Sequence, residues 1–303
     1  MSSARNASFL VLLAACAAPP AAESPVLSRA RAFLESKSDE PNHANAALTA
    51  MALGHGPARD AILARLAKLP PAAASYPHDF SAAYIGLAIL DAHARDKNAF
   101  LKEAVAWKQF LVSRQNKEGD WGYGFEMDPN RWIETTMVAP VLEALLIARD
   151  SGLAVDPGVF DRARRFLESY RAADGRFLND KSRPPSTEAT AAVVATLARL
   201  DPSSRSTAVR KADDLLAAMK GGDYDGLDKD DRETHGPGSY PYGLYYCALA
   251  ERRLLGPSRD AARRDAFLAK LAAWQAPDGS FPAKRGSVYA TALVILAVRA
   301  LYE

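Results

Sequence analysis

S-R-Q-N-K-E-G-D-W-G-Y-G, Ser113 to Gly124, follows an apolar run of helical character and packs Gln, Gly and Trp into one short turn. A surface turn has little use for a tryptophan, so the spacing matters. Read backward from Trp121 it is Phe110-Leu111, three residues, Gln115, three residues, Gly119, one residue, Trp121. The same spacing returns as Phe166-Leu167, Arg171, Gly175, Phe177, and again as Leu271, Gln275, Gly279, Phe281. A weaker copy runs from Lys211 to Tyr224, and R-A-R-A-F-L, Arg29 to Leu34, repeats the start of the unit. Self-similarity at fixed spacing marks a repeat architecture.

Each copy leads through a loop into a second apolar run. I-E-T-T-M-V-A-P-V-L-E-A-L-L, S-T-E-A-T-A-A-V-V-A-T-L-A and S-V-Y-A-T-A-L-V-I-L-A-V align without gaps. Glu134, Glu188 and Tyr289 share one position, Thr136, Thr190 and Thr291 another, and Tyr245 and Cys247 fall into the same register. These runs are apolar on nearly every side, as buried helices are. The first run of each unit, as in R-A-R-R-F-L-E-S-Y, keeps one apolar and one charged face. The unit is therefore an outer amphipathic helix paired with an inner buried one. Six such hairpins span roughly 26–53, 58–95, 99–149, 157–200, 206–255 and 258–302, with Gly and Pro breakers such as Gly256-Pro257 between them. Hairpins of this kind stack as an open solenoid or close into a ring.

The Phe-Leu, Gln, Gly, Trp phrase resembles the Gln-Trp repeat of squalene and oxidosqualene cyclases and, in looser form, of protein prenyltransferase β-subunits. Arg162-Ala163 before Phe166 and Lys211-Ala212 before Leu215 match the basic-small start of that repeat. The resemblance covers Val26 to Tyr302. It implies an all-α fold, a closed α/α toroid of six hairpins around a central cavity. It also implies that Gln115, Trp121, Phe177, Gln275 and Phe281 are structural clamps, the amide capping a helix end against the aromatic ring.

The composition, 303 residues with 49% hydrophobic and a net charge of +2, is that of an ordinary globular protein. Lys and Arg are spread over the outer helices, so no nucleic-acid partner is expected. M-S-S-A-R-N-A-S-F-L-V-L-L-A-A-C reads as a secretory signal, too short to span a membrane. Leu13-Ala14-Ala15-Cys16 resembles a bacterial lipobox, whose cysteine is acylated after cleavage; a plain signal peptide cut near Ala22 is the alternative. The organisation expected is a signal peptide over 1–15, a lipidated Cys16 and short tether over 16–25, and the toroid over 26–303. The partner implied is a membrane, through the lipid anchor, with Ala17 favouring the outer membrane of a bacterial envelope.

Asp228-Lys229-Asp230-Asp231 resembles the Asp-x-Asp-Asp motif of class II terpene cyclases. There the middle acid, Asp230, would protonate an alkene or epoxide, with Asp228 and Asp231 tuning it. The alternative is a solvated acidic loop: the motif sits in G-D-Y-D-G-L-D-K-D-D-R-E, lacks the following Thr-Ala, and those enzymes usually join two helical domains. A prenyltransferase zinc site needs Asp, Cys and His around one ion. The family's His follows its Cys, and no His follows Cys247 here, so neither metal nor cofactor is expected. The starts of the inner helices gather His78, Asp79, Trp132, Glu134, Glu188, Tyr242, Tyr245 and Tyr289 toward one mouth. Aromatics with carboxylates and helix N-termini suit an isoprenoid, glycan or protein ligand. The alternative is that the acids cap helices and the tyrosines are core. The function expected is an envelope lipoprotein that binds a ligand or partner without its relatives' catalysis. A divergent isoprenoid cyclase or a glycan-cleaving toroid stands beside it. An aromatic cavity reached by Asp230 favours the cyclase.

Overall fold

The computed structural model describes residues 24–71, 81–122, 133–200, 240–283 and 285–303. Cys16, His78, Asp79, Trp132, Asp228, Asp230 and Asp231 lie outside the described residues, as does the weak repeat copy of Lys211 to Tyr224. Among the described residues there are eleven α-helices: α1 (Pro25–Glu35), α2 (His43–Leu53), α3 (Pro57–Leu66), α4 (Ser81–Arg95), α5 (Leu101–Ser113), α6 (Thr135–Asp150), α7 (Pro157–Glu168), α8 (Thr187–Leu200), α9 (Tyr240–Leu255), α10 (Ala261–Trp274) and α11 (Ser287–Tyr302). The extended structure there is limited to two isolated antiparallel bridges, Arg171 with Phe177 and Leu178 with Pro185. None of these helices is long and apolar enough to cross a membrane.

The helices start where local chemistry starts them. Ser24 accepts a hydrogen bond from the Leu27 amide, Asn42 from Asn45, and Asp260 from Arg263, each satisfying an N–H that the first helical turn leaves unpaired. Pro25 and Pro157 stand in the first turns of α1 and α7, where a missing N–H costs nothing.

The helices alternate in character. α2, α4, α6, α8, α9 and α11 bury residues on nearly every face, whereas α5 and α10 bury only a narrow stripe. The buried helices pack on one another: α2 on α4, α4 on α6, α6 on α8, α8 on α9, α9 on α11, and α11 on α2. The amphipathic helices lie outside them, with α5 against α4 and α6, α7 against α6 and α8, and α10 against α1.

The repeated turn has one construction in three places. The amides of Asn116, Ala172 and Ala276 bond to the carbonyls of Asp120, Arg176 and Ser280, and the glycine amides at 119, 175 and 279 bond back to residues 116, 172 and 276. All three glycines have positive φ, 103°, 92° and 90°. At Gly119 a Cβ would lie 2.2 Å from the Arg162 carbonyl oxygen, and at Gly279 one would lie 2.5 Å from that of Arg29. Only glycine permits both the conformation and the approach.

The clamp residues are tied to their neighbours. Gln115 Nε2 donates to the carbonyls of Gly119 (3.1 Å) and Val159 (2.9 Å), and its Oε1 accepts from the Arg162 guanidinium. Gln275 Nε2 does the same with Gly279 and Val26, both at 2.9 Å. Trp121 is fully buried, and its indole N–H donates to the Leu111 carbonyl at 2.7 Å. The amides of Phe177 and Phe281 donate to the hydroxyls of Thr190 and Thr291, each at 2.9 Å. Arg171, in the glutamine position of its repeat, stacks its guanidinium over Phe177.

Candidate functional site

Pro140 lies inside α6 and has no N–H to give the carbonyl four residues earlier. That carbonyl belongs to Thr136, and the Tyr242 hydroxyl donates to it at 2.7 Å from α9. A tyrosine thus reaches across from a helix 106 residues away to fill a bond that the sequence of α6 leaves open. Around this contact the tyrosines of three buried helices converge. The Tyr242 ring lies 4.5 Å from that of Tyr246, which meets Tyr245 edge-on at 5.0 Å. Tyr84 of α4 and Tyr289 of α11 belong to the same electrostatic neighbourhood. Burial first, then Tyr289, Tyr246 and Tyr245, push the Tyr84 phenol well above its ordinary range. Burial, then Tyr84 and Tyr289, do the same for Tyr242, with Glu188 of α8 adding to the rise. Tyr246 is raised by burial and by Tyr242 and Tyr245. These phenols stay neutral, so the region offers π faces and hydroxyls rather than charge.

Farther along the same helices the chemistry changes. Glu143, about two turns from the end of α6, is 3% exposed. Arg253 of α9 donates to both of its oxygens, at 2.5 and 2.7 Å, and to the Ala195 carbonyl of α8. Arg199 of α8 donates to Glu143 at 2.8 Å and to Asp150 at 3.0 Å. Burial opposes the charge on Glu143, but Arg253 and Arg199 outweigh it and hold the carboxyl below the usual carboxylate range. Tyr245 stands between the two regions. Its ring touches Tyr246, while its phenol is pushed up by burial, then by Glu143 and Asp91, against the opposing pull of Arg253 and Arg199.

Of the residues singled out from sequence, Tyr242, Tyr289 and Glu188 are brought together near Tyr84, and all are buried. Tyr245 shares the repeat position of Glu188 and Tyr289 yet lies under the influence of both that group and the ionic cluster. Glu134 is the N-cap residue of α6, half-buried, and accepts from the Thr136 hydroxyl at 3.3 Å. The end of α6 is held mainly by Asn179, whose Oδ1 accepts from the Thr136 amide and hydroxyl. Sequence reasoning missed Tyr84, Asp91, Glu143, Arg199 and Arg253. Glu143 had a signal, being the one acid inside the apolar run T-T-M-V-A-P-V-L-E-A-L-L. Cys247 is fully buried, and among the described residues no three His, Cys, Asp or Glu side chains are grouped to hold a metal ion.

No protein-family model matches the sequence, and no curated protein is detectably similar to it. The structure is similar to that of the type II terpene cyclase MstE from Scytonema in its apo form, with a TM-score of 0.59 at 15% identity, covering 90% of this chain and 96% of that one. A variant of that cyclase in complex with its substrate, geranylgeranyl dihydroxybenzoate, matches at TM-score 0.57 and 16% identity, over 91% and 96% of the two chains. A second variant, with its product merosterolic acid A, matches at 0.56 and 14%, over 91% and 95%. The chain has an all-α, terpene cyclase-like fold that runs the length of a cyclase of comparable size.

Proposed function

We propose that the protein binds an isoprenoid-type ligand in a space enclosed by its six buried helices. The observation that carries this reading is the convergence of neutral, buried tyrosines from α4, α9 and α11, with Glu188 from α8, at one place in the interior. Aromatic faces bind hydrocarbon chains and tolerate positive charge on them. The reading includes a closed α/α toroid. Its support is the packing of α11 on α2 and the Gln275–Val26 bond, which repeats between the last and first hairpins what Gln115–Val159 does between the third and fourth. It also includes a lipid anchor at Cys16 in a bacterial envelope, supported by the lipobox-like Leu13-Ala14-Ala15-Cys16.

The test is a titration of the full chain with geranylgeraniol, squalene and an oligosaccharide series, followed by melting temperature and intrinsic fluorescence. An isoprenoid at 100 times its Kd stabilises by about 2.7 kcal/mol and raises the melting temperature. A rise with oligosaccharide alone moves the reading to a glycan ligand, and no rise with any probe removes it. Cys16→Ser is expected to abolish fatty-acid labelling; labelling that persists ends the anchor assignment.

A second reading, proton-initiated cyclisation by Asp230, has one observation in its favour. The similar cyclase is nearly coextensive with this chain, so a single set of hairpins is no obstacle to that chemistry. Product analysis after incubation with a linear polyene tests it. Cyclic product from the wild type and none from Asp230→Asn supports it; cyclic product from both, or from neither, ends it.

A further inference from the structure

Two joints between hairpins carry the same glutamine turn, and they are not finished alike. In both, two carbonyls take the Nε2 hydrogens and so fix the amide: Gly119 and Val159 for Gln115, Gly279 and Val26 for Gln275. The Oε1 atom is left to find a donor of its own. At the joint of the third and fourth hairpins Arg162 supplies it, with Nε at 3.1 Å and Nη2 at 2.8 Å. At the joint of the last and first hairpins the Gln275 Oε1 atom is buried and has no hydrogen-bond partner.

The residue that would complete the second joint is already in position. Arg162 stands three residues after Val159, and Arg29 stands three residues after Val26. The Arg29 carbonyl lies against Gly279 as that of Arg162 lies against Gly119, and the Arg29 Cβ is 3.3 Å from where a Gly279 Cβ would sit. Arg29 is nevertheless exposed, and its guanidinium makes no bond to Gln275. The buried helices repeat the contrast. Between α6 and α8, Arg199 bonds to the carboxylates of Glu143 and Asp150, at 2.8 and 3.0 Å. Between α11 and α2, Arg299 reaches only the carbonyls of Met51 and Ala52, at 3.2 and 3.4 Å. Those bonds are longer, and a carbonyl lacks the charge attraction of a carboxylate.

We infer that the joint of the last and first hairpins is a gate, at which α1 and α10 part more readily than α5 and α7 part at the matching joint, with Arg29 standing outside as its undone latch. Parting α5 from α7 breaks a guanidinium–amide bond. Parting α1 from α10 breaks none there and lets water reach an oxygen stranded without a donor. Opening at this place uncovers the contact of α11 with α2 and gives those buried helices a path to solvent.

The experiment is amide hydrogen exchange on the full chain, corrected for intrinsic rates. It is read at Asn116 and Gly119 in one turn and at Ala276 and Gly279 in the other, whose amides make the same bonds. Ala276 and Gly279 are expected to exchange at least roughly tenfold faster, the worth of one hydrogen bond to a charged group. Arg162→Met should raise Asn116 and Gly119 toward the rate of the second turn without quickening the second, and Arg29→Met should leave both turns unchanged. Labelling of the wild type with phenylglyoxal, read by mass spectrometry, needs no variant: Arg29 should react well ahead of Arg162. Equal protection of the two turns, a first turn unmoved by Arg162→Met, a second turn quickened by Arg29→Met, or Arg29 labelled no faster than Arg162 overturns the gate.

Discussion

Gln275 at the end of α10 donates its Nε2 hydrogen to the carbonyl of Val26, 249 residues earlier in the chain, at 2.9 Å. Three residues beyond Val26, the Arg29 carbonyl stands where a Cβ on Gly279 would be. Gln115 and Gly119 meet Val159 and Arg162 in the same way. One device therefore serves both a sequential neighbour and the two ends of the described chain.

Gly279→Ala is expected to destabilise the protein by at least about 2 kcal/mol, since positive φ and a backbone overlap act together. Gly286→Ala is the comparison, with φ of 102° and nothing within 4 Å of the added Cβ. It should cost about 1 kcal/mol, the conformational part alone. Denaturant melts of the two variants check this; equal losses mean the α1–α10 contact contributes nothing.

Trp121→Ala should cost about 3–5 kcal/mol, the range for truncating a buried aromatic. Thr291→Val, which keeps the volume and removes the acceptor for the Phe281 amide, should cost about 1–3 kcal/mol. Losses below about 1 kcal/mol in both would show that the turns do not clamp the helices, a threshold near the scatter of ordinary surface changes.

Glu143 gives stability a dependence on acid. Its folded pKa is lowered, so its contribution is complete above the ordinary value of 4.5 and is lost as pH falls through the depressed one. Glu143→Gln should cost about 3 kcal/mol near neutrality, because it leaves Arg253 and Arg199 buried beside an uncharged amide. That difference should shrink as pH drops below the carboxylate range. A wild type and variant separated by the same amount at pH 7 and in acid would contradict the ionic assignment.

The tyrosines give the opposite dependence at high pH. Tyr84, Tyr242, Tyr245 and Tyr246 have raised folded pKa values. Their contribution is complete below the unfolded value of about 10 and declines as pH rises above it, because the unfolded chain loses protons that the folded one keeps. An ultraviolet titration should find these four phenols silent until the protein unfolds in base. Full ionisation of all 11 tyrosines in the folded state would place them at the surface.

The turn and the hairpins are legible because a Gln, a Gly and an aromatic at fixed spacing leave a local trace, repeated without gaps. The division into buried and amphipathic helices follows from composition around each helix. Tyr84 escapes that reading because the second hairpin carries no such turn. The ionic net escapes it because Glu143 meets partners 56 and 110 residues away, and Arg199 and Arg253 look like ordinary basic residues in a last helical turn. Register also says less than it promises. Tyr245 and Tyr289 share a repeat position and both raise the Tyr84 phenol, yet Tyr245 also feels the charge of Glu143, which no repeat position announces.

The bond from Tyr242 to the carbonyl that Pro140 leaves open makes one residue's fate depend on the other's, in one direction. Replacing Pro140 alone restores a helical amide to a carbonyl whose second lone pair still takes the phenol. Replacing Tyr242 with phenylalanine alone strands a buried acceptor. Descendants of this sequence are therefore expected to keep tyrosine at 242 wherever proline stays at 140, and to lose the tyrosine only after the proline has gone.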